Sequence, residues 1–513
     1  MPADEAEVAD HEAAIEQAYL LVEAAQGHND AARVEAADRR ARARGWDDVR
    51  LLLHFARSLA CLEDGRDGTA HTDAMLDTAV LLGDTALLAL AIAVKAARRA
   101  TRRRTSTAGE SAAALLVQAV VMLDDDDPAT PVVHRAGALI EVACVAHELG
   151  FWELALDYYE LTAQALAGEG GGRWAETVRR QWRVVAINSF DLALDWASCL
   201  AAIGEWDAAA ARAGELLSAV GDPTDDAWPP VWVTQLHGSR HLLTALAGRA
   251  ATPTEERIAS LGAAISAARA GDADRAARLA EAATDDPGMP LPTCTQLLRL
   301  SLIAKRPGTN PTAIRYGDEL ARLRWNDRVD RMSGMRDAIA VERRRRDHEQ
   351  LRRDLVVDEL TGLANRRGYQ AYLAAVDGTS YAVMMIDVDR FKAVNDNFGH
   401  DVGDVVLARL GHILSAHVRP TDLAARLGGD EFVVILADVQ PEVPGARAQH
   451  ILDAVRTHPW DEVADGLTIS VSIGVHHGGR HELPALLNDA DRSLYHAKRH
   501  GRGRASTQVS TVV

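Results

Sequence analysis

The sequence predicts a multidomain chain: an all-α helical-repeat region, a connecting helix, and a smaller α+β domain at the C-terminal end. Three textures carry that reading. Residues from about 10 to about 310 are Ala/Leu-rich, with apolar positions recurring at the 3.6-residue helical period and no alternating strand pattern. A charged run, 318–357, follows. At Asp358 the texture changes to short β-branched runs alternating with amphipathic stretches.

At 513 residues the chain exceeds what one hydrophobic core organises. Its 74 acidic against 56 basic side chains give a net charge of -18, which repels phosphate backbones and argues against a general DNA- or RNA-binding role. A nucleotide would need a local basic pocket. The four cysteines (Cys61, Cys144, Cys199, Cys294) have no paired spacing, so neither a zinc site nor a disulfide framework is legible. The acidic opening MPADEAEVADHEAAIEQ lacks the basic flank and apolar run of a signal peptide. The apolar stretch Ala86–Val94 stops at Lys95, far short of a membrane span. These features predict a cytoplasmic protein.

Within the helical region, taken as 1–317, one phrase recurs: a glycine, an alanine five residues later, then a helix. It occurs as Gly27 to Ala32, Gly150 to Ala155, Gly204 to Ala209 and Gly271 to Ala276. Glycine suits the left-handed end of one helix, and alanine lets the next helix pack closely. The phrase resembles the middle of tetratricopeptide repeats, although the copies lie irregularly and farther apart than the roughly 34 residues of that repeat. The resemblance implies a divergent solenoid of helical pairs with a concave surface for a partner protein or small ligand; a plain Ala-rich bundle is the alternative.

Residues 318–357 predict a continuous connecting helix. Trp325, Val329, Met332 and Ile339 form a heptad-like seam that predicts a short coiled coil pairing two chains. The run Arg343–Arg346 has acidic neighbours on both sides and reads as a solvated face rather than a phosphate patch.

In the last zone, 358–505, strands are expected at 381–388, 431–437 and 467–475, with another strand before the glycine pair Gly428-Gly429. Helices fit 362–376, 401–417, 445–457 and 482–499. The order predicts a ferredoxin-like sandwich with helices on one face of the sheet. Residues 506–513 read as a disordered tail.

Two acidic groups stand at predicted strand ends. Asp387-Val388-Asp389-Arg390-Phe391-Lys392 closes the first strand, and Gly428-Gly429-Asp430-Glu431-Phe432 spans a hairpin. Hard carboxylate oxygens on neighbouring strands suit Mg²⁺ held against a polyphosphate. With DELTGLANRR (358–367), DVDRFKAVNDNFGHDVGD (387–404), RLGGDEF (426–432) and SLYHAKRHGRGR (493–504), the segment resembles the GGDEF diguanylate cyclases in motif order and spacing.

The resemblance implies a palm-type domain that condenses two GTP into cyclic di-GMP. It implies two Mg²⁺ (Mn²⁺ as an alternative) at Asp387, the carbonyl of Val388, Asp430 and Glu431. One of the last two takes the proton of the attacking ribose hydroxyl, Asp430 being the leading candidate. Asn395 and Asp404 match the base-recognising positions and His400 another substrate contact. Backbone amides of Arg390, Phe391 and Lys392 would cradle phosphates beside the Gly428-Gly429 turn. Lys498 and Arg502, read as one helical turn apart, would add cations. Arg419-Pro-Thr-Asp422 matches the family's product-inhibition motif. Each domain would hold one GTP, so the resemblance also implies a homodimer. A non-catalytic nucleotide receptor is disfavoured because Asp387, Asp430 and Glu431 are all present.

Overall fold

The computed structural model describes residues 3–507, leaving aside 26–29, 102–110, 126, 129, 170–171, 220–227, 229, 251–253, 285–290, 376–377 and 480–481. The chain divides into two compact units, Met1–Arg343 and Arg344–Val513.

The first unit is helical. In chain order it holds α1 (Ala3–Ala24), α2 (Ala31–Arg44), α3 (Asp47–Glu63), α4 (Thr69–Leu82), α5 (Thr85–Thr101), α6 (Ala112–Met122) and α7 (Val132–Leu149). There follow α8 (Trp152–Leu166), α9 (Ala175–Ala202), α10 (Trp206–Ala219), α11 (Pro230–Leu246), α12 (Glu256–Arg269), α13 (Ala273–Ala282) and α14 (Thr293–Ala304). The stretch of α15 (Pro311–Val356) up to Arg343 also belongs to this unit. Neighbouring helices pack on one another, and α1 on α3, α5 on α7, α7 on α9 and α9 on α11 form a second set of contacts.

The recurring glycine phrase does the predicted work in three places. Gly150, Gly204 and Gly271 take φ of 83°, 91° and 80°, ending their helices in the left-handed conformation. Ala155, Ala209 and Ala276 are buried where the next helix packs. Gly27 lies outside the described residues, and its Ala32 is exposed. Helix α9 has the length and apolar composition to cross a membrane. It packs instead against α7, α8, α10, α11 and α14, burying Phe190, Leu194 and Ala197, as a core helix does.

The predicted seam on the connecting helix is used differently. Met332 and Ile339 are buried in the core of the helical unit, with Met335 beside them and Trp325 packed against it, while Val329 stays exposed. Besides Val329, the exposed large apolar residues of α15 are Tyr316, Leu320, Leu323, Val341, Leu351 and Leu355. Apart from Val329, their spacing fits a single heptad register, interrupted by Asp327, Asp330, Gly334, Asp337, Arg344 and His348. Arg343 forms a bidentate pair with Asp124 (2.7 Å for each bond), and Arg345 bonds Glu349 at 2.6 Å. Arg343, Arg344 and Arg345 are exposed and Arg346 is half-buried, so the run lies on a largely solvated face, with ion pairs at Arg343 and Arg345.

The second unit is built on a five-stranded sheet, ordered β2-β3-β1-β4-β5. The strands are β1 (Ser380–Val388), β2 (Leu423–Gly428), β3 (Glu431–Ala437), β4 (Val471–Gly479) and β5 (Ala505–Ser506). All pairings are antiparallel except β4 with β5. The helices are α16 (Arg366–Ala375), α17 (Phe391–Phe398), α18 (His400–Ser415), α19 (Val443–Thr457) and α20 (Leu483–Arg499).

Helices cover both faces of this sheet, which corrects the one-faced sandwich read from the element order. Ala382, Met384, Ile386 and Val388 of β1 share a core with residues of α17, α18 and α19. Tyr381 and Val383 share another with residues of α16 and α20. The apolar run of β1 does not alternate because both of its faces are buried.

Element bounds also moved, and the strand expected at 467–475 is β4, Val471–Gly479. The first helix begins at Arg366 rather than 362, because Asp358 caps a turn through Thr361 (N 3.0 Å, Oγ1 2.7 Å) and Asn365 accepts from the amides of Arg367 and Gly368. The stretch FKAVNDNF, outside the expected helices, forms α17, which Gly399 (φ 91°) separates from α18. The chain stays in the sheet through Ser506; residues 508–513 lie outside the described residues.

Replacing Gly204 by alanine should lower the stability of the helical unit by about 1–2 kcal/mol, the strain of a side chain at a left-handed φ. No neighbour lies within 4 Å of the added Cβ, so urea unfolding followed by circular dichroism reads backbone strain alone.

Candidate active site

Strand β1 ends at Val388 between two partners, and their register decides what stands beside its acids. Asp387 pairs across β1–β3 with Glu431 and across β1–β4 with Ser472. The Val388 amide donates to the carbonyl of Asp430 at 3.3 Å. The four predicted metal positions therefore converge at one end of the central strands. Lys498, reaching in from α20, places its Nζ 2.7 Å from Asp387 Oδ2. Burial raises the Asp387 carboxyl above its ordinary pKa; Asp430 and Asp389 add to that, and Lys498 opposes it.

The hairpin is shaped by its glycines. Gly429 takes φ 55°, and the β2–β3 register shifts between Arg426 and Gly428. Arg426 holds the turn from below: its Nε donates to Gly429 O at 2.9 Å, and Nη1 bonds Asp358 at 3.1 and 3.3 Å. Burial alone would raise the Asp358 carboxyl, but hydrogen bonds from Thr361 and then Arg426 hold it below its ordinary value.

Asp389 has a role the motif does not reveal. Its buried carboxylate accepts from Ser470 Oγ at 2.7 Å, Ser472 Oγ at 2.6 Å and the Gly503 amide at 2.9 Å, while its own amide donates to Ser470 O. The end of β1 is thereby tied to β4 and to the turn after α20. The Asp-Val-Asp pattern carried the signal, since both acids follow a buried strand, but only the serines opposite tell anchor from ligand.

Arg390 is the N-cap of α17 at φ 57°, which directs the chain from strand into helix. The amides of Phe391 and Lys392 sit in the first turn, where no intrahelical acceptor exists. Asn395 lies on α17 and Asp404 on α18. A Cβ on Gly403 would come within 1.9 Å of Asn395 Oδ1, so glycine is what lets these helices approach. That buried Oδ1 has no hydrogen-bond partner among the described residues. His400 opens α18 and is exposed, as is Asp404.

Arg502 departs from the expected pairing with Lys498. Helix α20 ends at Arg499, and Arg502 adopts φ 60° in the turn between Gly501 and Gly503, its amide bonded to Ala497 O. The two cations are not on successive turns of one helix. At the other end of β2, Asp422 accepts from the amides of Arg419 (2.9 Å) and Ala437 (3.0 Å). Its carboxylate thus builds the turn, and the Arg419 side chain stands exposed. Among the described residues no three His, Cys, Asp or Glu side chains converge as a ready metal cluster. The acid end offers two or three carboxylates and a carbonyl, a hard-oxygen set that a polyphosphate would complete.

Residues 355–504 match the family model described as "Diguanylate cyclase, GGDEF domain", and this segment of the chain is a GGDEF domain. Over 162 residues the chain is 41% identical to the response regulator PleD of Caulobacter vibrioides, covering 29% of this chain and 35% of that protein. It is 39% identical over 161 residues to the diguanylate cyclase TpbB of Pseudomonas aeruginosa, covering 28% and 36%. The chain thus spans about a third of the length of these relatives. Among solved structures, the coiled coil and GGDEF domain of DgcB from Caulobacter crescentus in complex with c-di-GMP is 31% identical. That match covers 34% of this chain and 97% of the other, with a TM-score of 0.31.

Since the folded-state pKa of Asp358 lies below its unfolded value, its ionised form stabilises the fold at neutral pH, and this contribution fades as pH falls through the folded value. The variant Asp358→Asn should cost about 1–3 kcal/mol at pH 7. The gap from the parent should narrow below about pH 4, measured by urea unfolding at stepped pH.

Proposed function

We propose that the chain is a diguanylate cyclase that joins two GTP into cyclic di-GMP and releases two pyrophosphates. The observation that carries this is the convergence of Asp387, Asp430 and Glu431, with Lys498, where β1 meets the β2–β3 hairpin. In each of two steps the 3′-oxygen of one GTP forms a bond to the α-phosphorus of the other. The bond to the pyrophosphate oxygen breaks, and the hydroxyl proton passes to a carboxylate, Asp430 in our assignment.

Two Mg²⁺ ions, held by Asp387, the Val388 carbonyl, Asp430 and Glu431, would lower the charge of the phosphates and the pKa of the hydroxyl. The Lys498 ammonium beside Asp387 supports the fit: the acids already hold a cation, which would turn toward the phosphates on substrate binding. The first-turn amides of Phe391 and Lys392, with Arg390, would receive the β- and γ-phosphates beside Gly428 and Gly429. Arg502 would add charge from the turn after α20.

Guanine recognition falls to Asn395 and Asp404, the carboxylate accepting from N1–H and the 2-amino group. The unpartnered Asn395 Oδ1 supports this role, because a base that drew the amide outward would satisfy it. His400 lies one residue beyond Gly399, at the start of the same helix as Asp404. Arg419 is the exposed group of an inhibitory product site whose turn Asp422 shapes.

One chain holds one such site, so turnover needs two chains face to face, in the cytoplasm where GTP is made. The exposed heptad positions of α15 supply the pairing surface, and the helical unit is the sensory part, tied to that helix by the packing of Met332, Met335 and Ile339.

Incubating the full chain with GTP and Mg²⁺ and resolving the nucleotides tests this reading. Asp430→Ala and Glu431→Ala should each reduce cyclic di-GMP formation by about 10²–10⁴-fold. Equal rates in the parent and the variants would overturn it. For the dimer, Leu351→Glu with Leu355→Glu should weaken self-association by about tenfold or more, since like charges would face across the seam. The rate per chain should then fall at low protein concentration, and analytical ultracentrifugation gives the matching association constant.

A further inference from the structure

The helical unit contains a cavity of about 530 Å³ that the cyclase reading leaves unused. The cavity lies among α7, α8, α9, α14 and the first half of α15, and its size is within the roughly 300–1,000 Å³ of small-molecule sites. Its walls are mostly apolar, with Trp152, Ile203, Leu297, Ile314, Leu320 and Trp325 among the lining residues.

The charges on the wall are nearly all answered within the protein. Lys305 pairs with Asp318 at 3.0 Å, and Arg331 with Asp327 at 3.0 Å. Arg328 makes a two-pronged bond to Glu153 (2.7 and 3.0 Å) and lies over the rings of Trp152, Trp196 and Trp325. Burial pushes the Glu148 carboxyl above its ordinary pKa, and His147 and Arg98 offset this only in part. Arg324 alone among these cations has no carboxylate partner among the described residues. An apolar chamber with one unanswered guanidinium suits an apolar body that ends in a single negative charge.

Two thiols give the chamber a built-in reporter. Cys199 of α9 and Cys294 of α14 both line it. Their helices are joined next to them by Ser198 Oγ and Thr295 Oγ1 at 3.1 Å, and by the Cys294 amide on Asp195 at 3.2 Å.

We propose that this cavity is a binding site for a small amphipathic monoanion, an aliphatic or aromatic body carrying one carboxylate, with Arg324 as its charge partner. Because α15 supplies one wall, an occupant bears directly on the connecting helix. The proposal rests on the cavity and its charges and stands whether or not the GGDEF domain turns over GTP.

The test uses the full chain and binding readouts only. The probe 1-anilinonaphthalene-8-sulfonate is titrated by its fluorescence, then displaced with decanoate or with uncharged decanol. Decanoate should displace it at about tenfold lower concentration than decanol, the worth of one charge-assisted bond. Arg324→Gln, at an exposed position whose loss leaves the core intact, should remove that preference. Ala321→Trp, which fills the chamber, should abolish displaceable binding, with a thermal melt confirming the fold. Saturating decanoate should slow iodoacetamide labelling of Cys199 and Cys294 by about fivefold or more while leaving Cys144 unchanged, as a bound ligand shields only the groups it covers. A decanoate preference that survives Arg324→Gln, or unprotected Cys199 and Cys294, would overturn the proposal.

Discussion

Strand β1 is hydrogen-bonded along both edges, to β3 on one side and β4 on the other, and the chemistry of the C-terminal unit depends on that double registration. A slip of one residue would send Asp387 to the opposite face and bury it among the residues of α18 and α19. The register is pinned from several directions. Both faces of β1 are packed, Asp389 is tied to Ser470, Ser472 and Gly503, and Val388 is bonded to the carbonyl of Asp430. The acids at the tip carry unfavourable repulsion and desolvation, as the raised Asp387 carboxyl records. The packed sheet behind them is what holds them in place against that cost.

Much of this site was legible in the sequence because its motifs are local. Asp387 to Lys392, and Gly428 to Glu431, are contiguous, and a strand end or a two-glycine hairpin has only a few ways to fold. What stayed hidden was non-local. Nothing near Asp389 in sequence announces the serines about 80 residues later that make it an anchor, a separation that only the fold closes. The pairing of Arg426 with Asp358 and the close approach of Gly403 to Asn395 are of the same kind. Helices on the second face of the sheet escaped notice because element order constrains adjacency, not which face a crossover covers. Arg502 falls one turn beyond Lys498 only if helical periodicity continues through Gly501, a residue type that ends helices, and α20 stops at Arg499.

In the helical unit the glycine phrase was a reliable guide to local structure, since a left-handed helix end and a buried alanine are both short-range requirements. The heptad seam was less so. Apolar periodicity says that a face is buried without saying against what, and here Met332 and Ile339 are buried against the chain's own helices while a different face of α15 stays open. One helix thus carries two apolar stripes, an inward one buried in the helical unit and an outward one left exposed. Asp327, Asp330, Gly334, Asp337, Arg344 and His348 break the outward stripe, so it is not one continuous apolar seam.

The seat of Arg328 has an optical consequence. Its guanidinium lies 4.7 Å from the ring centre of Trp152, 5.5 Å from Trp196 and 4.4 Å from Trp325, so three of the chain's ten indoles share one cation on α15. Indole emission is sensitive to nearby charge and solvent. Any movement of α15 that withdraws Arg328 would change the surroundings of all three rings together, and the unlabelled protein carries its own fluorescent gauge of where the connecting helix sits.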